Sequence, residues 1–199
     1  DIDMPLIIKV ASIPKERIQV YFIDNEEYFK RKSTFSDENG KFHEDNDERA
    51  LFFAKGVIET VKKLNWAPDI IHVHGWMASL FPLYLKTYYK DEPVFENSKI
   101  VTSVYDKSFD ESLNKKLVDK ILFDEINEDL IKGLKDPSYN NLMKNAIDFS
   151  DALILGSEEI PKEVLDHLNS SDKPVLGYQS RDTFSEAYTE FYKNEVLNQ

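Results

Sequence analysis

The stretch Pro-Asp-Ile-Ile-His-Val-His-Gly-Trp-Met, residues 68–77, decides the predicted fold. Pro68 ends the element before it, and a short β-branched run then stops at Gly75, which is typical of a strand entering a turn. His72 and His74 are two positions apart, so their side chains point to the same face of that strand. The sequence therefore predicts a strand that delivers two imidazoles to one side of a sheet.

Upstream of this strand, the sequence predicts a long helix and, before it, two strands. Residues 45–64 carry apolar side chains at helical spacing, and Asp45 or Asn46 can cap the first turn. Residues 6–13 and 18–23 are rich in strand-forming side chains on either side of a proline-containing turn. We therefore expect two strands joined by a turn, followed by an amphipathic helix.

Downstream of this strand, predicted helices alternate with predicted strands. The predicted strands are residues 99–104, 152–155 and 174–177. The predicted helices are residues 76–89, 112–122, 124–134 and 139–147, a helix that Ser157 caps and that runs to residue 168, and a terminal helix at 183–197. This alternation implies parallel strands with right-handed crossovers, and so a layered α/β sheet. Because ligands of such sheets bind at the carboxyl ends of strands, we expect the function in the turns after His74, Val104 and Leu155.

Composition narrows the classes of partner. The chain has 199 residues, of which 41% are apolar, and a net charge of −12 without a basic cluster. This charge argues against nucleic acid and against anionic membrane surfaces as partners. No apolar run approaches the length of a membrane span, and the first residues lack the features of a signal peptide, so we expect a cytoplasmic protein.

The residue types exclude several chemistries. The chain has no cysteine, which removes thiolate nucleophiles and cysteine-based metal sites. His72 and His74 could share a metal ion, but no third ligand is evident, so neither a metal nor a cofactor is predicted. The alternative is that His72 is a hydrogen-bonded core histidine while His74 faces a cleft. Ser157 lacks the G-x-S-x-G pattern of a nucleophile, which favours a role as a helix cap.

A series of motifs, in the same order as in the family, resembles glycogen and starch synthases. Residues 45–52 (DNDERALF) are similar to the family's D-N-x-E-R-F-A-L-F helix, and residues 68–80 are similar to its P-D-V-V-H-x-H-D-W-H-A-G-L strand and turn. Residues 103–106 (SVYD) stand where the family has T-I-H-N, and residues 141–146 resemble its N-F-L-K-G-G helix. The run after Ser150 resembles its A-D-x-I-T-T-V-S segment. The resemblance covers residues 18–165.

This resemblance implies a fold and a reaction. It implies a Rossmann-like three-layer parallel sheet in a single domain over residues 1–199, corresponding to the N-terminal half of a two-domain transferase of the GT-B type. The family transfers glucose from ADP-glucose or UDP-glucose to an α-1,4-glucan, with the acceptor on this half. We therefore expect an α-glucan and a nucleotide sugar as ligands, and a homo-oligomer or partner protein in place of the missing nucleotide-sugar domain. The family's initial K-x-G-G-L loop is absent, so we expect the chain to begin downstream of the family's first strand. The terminal helix, residues 183–197, is expected to pack back on the domain.

The resemblance also indicates site residues. It implies substrate-binding roles for His74, Trp76, Asn141, Asp45, Tyr105 and Asp106. We expect the His-Gly-Trp segment to close a central strand and to line a sugar-sized groove, with core packing as the alternative for Trp76.

The chain departs from the family's pattern at three places near these residues. Met77 stands where the family has histidine, Gly75 where it has aspartate, and Tyr105-Asp106 where it has His-Asn. A thioether cannot donate a hydrogen bond as an imidazole can, so no catalytic residue is assigned. Two hypotheses stay open: a glucosyltransferase domain, or a non-catalytic relative that binds α-glucan or a partner protein.

Overall fold

The computed structural model describes residues 4–198 and contains two β-sheets with helices packed around the larger one. The smaller sheet is an antiparallel hairpin of β1 (Ile7–Ile13) and β2 (Ile18–Asp24), joined by a 3₁₀ turn at Pro14–Glu16. Arg17 closes that turn in the left-handed region, with φ of 55°. The two predicted strands and their turn are confirmed.

A short helix, α1 (Glu26–Phe29), leads towards the long helix α2 (Asn46–Leu64). The predicted boundaries of α2 are confirmed, and Asn65 ends the helix in the left-handed region, where asparagine is tolerated. The prediction that a side chain caps this helix is wrong. Asp45 occupies the capping position, but its side chain makes no capping hydrogen bond and instead pairs with Arg31.

The larger sheet contains four parallel strands in the order β3 (Ile70–His74), β4 (Lys99–Val104), β5 (Ala152–Leu155) and β6 (Val175–Leu176). The predicted α/β class with a parallel sheet is confirmed. The expectation that the His-Gly-Trp segment closes a central strand is wrong, because β3 lies at one edge of the sheet that the described residues form.

Three of the predicted helices have a different form. Residues 76–89 break into a 3₁₀ turn, Trp76–Ala78, and a short helix α3 (Phe81–Lys86). Pro82 lies in the first turn of α3, where its missing N–H is not needed, so the helix starts just before it. The segment predicted as 112–122 narrows to α4 (Leu117–Phe123), and that predicted as 124–134 is a 3₁₀ helix, Glu128–Lys135.

The helices that precede and follow β5 are α5 (Tyr139–Asp148) and α6 (Lys162–Asn169). The prediction for α5 is confirmed, whereas the prediction that Ser157 caps the next helix is wrong. Pro161 occupies the capping position of α6, because its fixed φ suits the chain just ahead of a helix. Ser157 is four residues upstream of Pro161 and contacts a different loop.

Helices cover both faces of the parallel sheet. One face carries Ile100 and Leu153, which belong to the main core together with residues of α2, α3 and α5. The opposite face carries Val101 and Ile154, which pack against the end of the chain. There, residues predicted as a terminal helix hold α7 (Phe184–Phe191) and a π-helical turn at Tyr192–Val196.

Among the described helices, α2 is the longest with 19 residues. Within residues 4–198, no helix combines the length and the apolar character that a membrane span requires.

Candidate functional site

The carboxyl ends of three neighbouring strands meet at one edge of the sheet. His74 on β3 is paired in register with Ser103 on β4, and Val104 on β4 is paired with Leu155 on β5. The turns after these strands therefore emerge side by side, as the sequence predicts. This edge is the candidate site.

His74 ends β3 and is exposed to solvent. Its Nδ1 lies 2.6 Å from the hydroxyl of Tyr105, which follows β4, and its ring lies over the ring of His72 with 3.9 Å between centroids. Desolvation by these neighbours lowers the pKa of His74. The side chain is therefore a neutral imidazole at neutral pH, with one nitrogen engaged and Nε2 directed away from Tyr105.

His72 lies two residues before His74 on β3 and is half-buried. Its Nε2 lies 2.7 Å from the Ser103 hydroxyl, and its Nδ1 lies 2.5 Å from the hydroxyl of Tyr192 in the terminal π-turn. Burial, and then the neighbouring His74, lower the pKa of His72 to about 3. The interpretation of His72 as a hydrogen-bonded core histidine is confirmed. Within residues 4–198, no group of three or more potential metal-ligating side chains comes together.

Tyr105 is held against His74 from two sides. The hydroxyl of Tyr139, at the start of α5, donates a hydrogen bond of 2.7 Å to the carbonyl oxygen of Tyr105. The Tyr105 ring lies directly on Gly156, just after β5, where an added Cβ would stand 2.5 Å from Cε1 of the ring. The close approach of the ring therefore requires glycine at position 156, because a larger residue would displace Tyr105.

Asp106 and Ser157 join the loops that follow β4 and β5. The backbone N–H of Asp106 donates to the Ser157 hydroxyl over 3.2 Å, and the Asp106 carboxylate accepts from the N–H of Lys107 over 2.7 Å. Asp106 is exposed at this edge. Ser157 thus links two loops, which explains why this serine does not cap α6.

Trp76 follows His74 by two residues but turns away from the solvent. It is 3% exposed, and its ring contacts the rings of Phe35, Phe42 and Phe109 at 4.9, 5.7 and 5.1 Å between centroids. The expectation that Trp76 lines a groove is wrong for this conformation, and the alternative of core packing describes it. Met77 is half-buried and also packs against the main core.

Asp45 and Asn141 serve local structure. The Asp45 carboxylate binds the guanidinium of Arg31, with Nη1 at 2.8 Å from Oδ1. Burial alone would raise the pKa of Asp45, but the hydrogen bond and charge of Arg31 lower it on balance. Asn141 lies in the first turn of α5, and its Nδ2 donates a hydrogen bond of 2.8 Å to the carbonyl oxygen of Asp136.

The structure therefore brings together three of the predicted site residues, His74, Tyr105 and Asp106. Sequence reasoning missed Ser103 and Tyr192. Alternation along β4 could have placed Ser103 on the face of the two histidines. No local pattern could have found Tyr192, because it is 120 positions from His72.

Comparison with known proteins agrees with these motifs and this fold. The model of the family described as the starch synthase catalytic domain matches residues 1–173. This chain belongs to the starch synthase catalytic domain family.

Relatives in this family include glycogen synthases. The chain is 36% identical over 173 residues to the glycogen synthase of Chlorobium luteolum. This match covers 83% of the chain and 35% of the relative. It is 35% identical over 192 residues to the glycogen synthase of Chlorobaculum parvum, which covers 91% of the chain and 39% of the relative. The chain thus spans little more than a third of the length of these glycogen synthases.

A solved starch synthase shares the fold of this family member. The catalytic domain of starch synthase IV from Arabidopsis thaliana, bound to ADP and acarbose, superposes with a TM-score of 0.67 at 18% identity. The match covers 89% of this chain and 38% of the starch synthase chain.

Proposed function

We propose that this starch synthase-type domain binds an α-1,4-glucan at the edge where β3, β4 and β5 end, as the acceptor half of a glucosyl transfer. The observation that supports this proposal is the exposed imidazole of His74, oriented by Tyr105 at 2.6 Å and flanked by the exposed Asp106. A neutral imidazole and a carboxylate can between them donate to and accept from sugar hydroxyls. Asp45, Trp76 and Asn141 are outside this proposal, because each is engaged elsewhere.

Charge at this edge favours a sugar over a diphosphate. A diphosphate is normally held by free cations or by aligned N–H donors. Lys107, which follows Asp106, lies 2.6 Å from Asp110, so this cation is already paired with a carboxylate. We therefore assign the nucleotide sugar, ADP-glucose or UDP-glucose, to a second domain or partner outside residues 4–198.

The second candidate function is binding of α-glucan without transfer. It is favoured by Met77, whose half-buried thioether stands where the family's motif has histidine, and by Gly75 in place of the family's aspartate. The thioether of Met77 cannot donate a hydrogen bond to a reacting sugar, and Gly75 has no side chain to accept one. This candidate uses the same edge of the sheet and differs only in chemistry.

Calorimetric titration with maltoheptaose tests binding. Fluorescence would be a poor readout, because Trp76 is buried while Trp66 is 57% exposed and distorts the signal. We expect His74→Ala to weaken binding about five- to tenfold, the loss of one or two hydrogen bonds. His167→Ala is the matched control. His167, on α6, lies 2.7 Å from Asp148 at the end of α5, so its replacement should leave binding unchanged.

Transfer of radiolabelled glucose to glycogen tests catalysis. ADP-glucose and UDP-glucose are each supplied with the chain alone and with the C-terminal half of a related glycogen synthase. Transfer that requires this chain supports the first candidate, and maltoheptaose binding without transfer supports the second. Absence of maltoheptaose binding overturns both candidates.

A further inference from the structure

The segment between β6 and α7 begins at the edge of the sheet that holds the candidate site. β6 is parallel to the other three strands, so its carboxyl end, at Leu176, faces the same edge as His74. In the described sheet, β6 is also the strand farthest from β3. Tyr188 of α7 nevertheless lies beside His72 of β3, with 5.8 Å between the ring centroids. The chain between Leu176 and Tyr188 therefore starts at this edge and reaches the opposite side of the sheet.

The histidine pair points to the face of the sheet that α7 covers. His72 is paired in register with Val101, and register partners on neighbouring strands point to the same face. Val101 and Phe191 of α7 belong to the same buried cluster. His74 lies two positions after His72, so it points to this face too. The start of α7 and the exposed imidazole of His74 are therefore on the same face and near the same edge.

Two aromatic side chains of α7 form a row that begins beside the histidine pair. Phe184 and Tyr188 are four positions apart and so share one face of the helix, with 5.8 Å between their ring centroids. A turn before the helix fixes Phe184, whose N–H donates to the carbonyl oxygen of Ser180 over 3.0 Å. Phe184 is 46% exposed, although it begins a helix that packs on the sheet. The row therefore leaves the outer ring open to a ligand.

Tyr188 adds a free polar group to this row. It is half-buried, and within residues 4–198 its hydroxyl has no hydrogen-bond partner. The hydroxyl groups of Tyr105 and Tyr192, by contrast, are each bonded to a histidine of the pair. A tyrosine hydroxyl can donate and accept, so that of Tyr188 is available to a ligand at this place. The row thus offers an apolar ring and one hydrogen-bonding group side by side.

We propose that Phe184 and Tyr188 form an aromatic wall of the glucan site: one glucose unit packs on the Phe184 ring and bonds to the Tyr188 hydroxyl, next to the unit that His74 binds. This inference rests on the proposed function and extends it to a second sugar unit. An α-glucan suits the wall, because a glucose ring has a patch of C–H groups on one face and hydroxyl groups around its rim. The wall lies beyond residue 173, where the match to the family model ends.

Charge on the helix argues against an anion as the occupant of the wall. The charged side chains of α7 are Glu186 and Glu190, so the helix itself carries only negative charge. A nucleotide or another phosphate-bearing ligand would be repelled by these carboxylates, whereas a neutral glucan is not.

Calorimetric titration with maltoheptaose tests the wall in matched variants. Phe184→Ala should weaken binding about fivefold, because an aromatic contact is lost, whereas Phe184→Tyr keeps the ring and should bind as the wild type does. Tyr188→Phe should weaken binding about threefold, the loss of one hydrogen bond. Phe123→Ala is the matched control and should have no effect. Phe123 is 66% exposed at the end of α4, a helix that packs on the main core at the other face.

The variant His74→Ala separates this inference from the proposed function. If His74→Ala weakens binding while Phe184→Ala and Tyr188→Phe behave like Phe123→Ala, the wall is refuted and the proposed function stands. If the wild type does not bind maltoheptaose, both are overturned. Should Phe184→Ala fail to fold, Phe184→Leu keeps an apolar side chain without the flat ring, and it should weaken binding about threefold.

Light scattering of the same proteins tests whether the wall is instead a contact between copies of the chain. We expect Phe184→Ala to leave the molar mass of the wild type unchanged. A wild-type dimer that Phe184→Ala dissociates, with maltoheptaose affinity unaltered, would assign the ring to a protein interface and overturn the proposal.

Discussion

The Tyr192 hydroxyl and Nδ1 of His72 lie 2.5 Å apart, although the two residues are 120 positions apart in the chain. The bond joins the terminal π-turn to the strand that ends in His74. His72 lies on a strand at the edge of the sheet, but burial, and then the neighbouring His74, lower its pKa to about 3. The C-terminal segment is therefore part of the support of the candidate site.

The depressed pKa of His72 predicts a loss of stability in mild acid. The folded chain binds no proton at His72 until its pKa of about 3, whereas the unfolded chain binds one near the ordinary value of 6.5. The unfolding free energy should therefore fall as the pH drops below 6.5, by about 1.4 kcal/mol per unit from this group.

Urea unfolding at pH 7, 6 and 5 measures this slope. His72→Gln, which has no titrating group, should show a shallower fall between pH 6.5 and pH 5. Equal slopes in the two proteins, or NMR titration of the His72 ring with a midpoint above 5.5, would contradict the prediction.

Gly156→Ala should displace Tyr105. Its Cβ would stand 2.5 Å from the ring, so something must move, and we expect a cost of about 1–3 kcal/mol in unfolding free energy. The same change should weaken maltoheptaose binding, because Tyr105 orients His74. Gly133→Ala is the matched control, since no atom lies within 4 Å of its added Cβ. A Gly156→Ala protein as stable as the wild type would refute the packing argument.

Lys120 should prove essential for keeping Asp47 charged. The Asp47 side chain is fully buried and lies 2.5 Å from the Lys120 ammonium. Burial raises the pKa of Asp47 even with Lys120 in place. Lys120→Met leaves a buried carboxylate unpaired, so we expect a loss of about 3–5 kcal/mol at pH 7.

Part of that loss should be recovered in acid. A carboxyl whose folded pKa is raised binds a proton more readily in the folded chain, so stability increases as the pH falls through the folded pKa towards the lower pKa of the unfolded chain. Unfolding of Lys120→Met at pH 7 and pH 5 measures the recovery. The double variant with Asp47→Asn lacks the titrating group and should show less recovery; equal recovery in the two would argue against Asp47 as the cause.

Asp45→Asn separates capping from ion pairing. Asparagine is as good a helix cap as aspartate but carries no charge, so it cannot form an ion pair with Arg31. Because Asp45 pairs and does not cap, Asp45→Asn should lose about as much unfolding free energy as Asp45→Ala, up to about 1 kcal/mol for this partly exposed pair. Chemical unfolding of both variants checks this, and full stability of the asparagine variant would show that the side chain does cap.

Local patterns were sufficient where a segment's own side chains decide its form. The β-branched runs at residues 99–104 and 152–155 became strands with the predicted boundaries, and the apolar stripe of residues 45–64 became α2. Predictions from local patterns failed where contacts with distant residues determine the local structure. Residues 76–89 have helical composition, but Trp76 turns into a cluster of phenylalanine rings, and the helix forms only from Phe81.

The candidate site divides in the same way. The order of strands and turns predicted that His74, Tyr105 and Asp106 would emerge together, because parallel strands place their carboxyl ends at one edge. Asp45, Trp76 and Asn141 were predicted from the resemblance, and the structure engages each in other contacts.

By itself, the sequence determined the strands, the parallel sheet, the family and the position of His74 at the end of its strand. These follow from short-range periodicity and from motifs a few residues long. Only the tertiary structure decided that β3 lies at the edge of the described sheet, that Trp76 is buried, and that Tyr192 reaches His72. Contacts between distant segments depend on how whole elements pack, and no local pattern records which side chains that packing brings within hydrogen-bond distance.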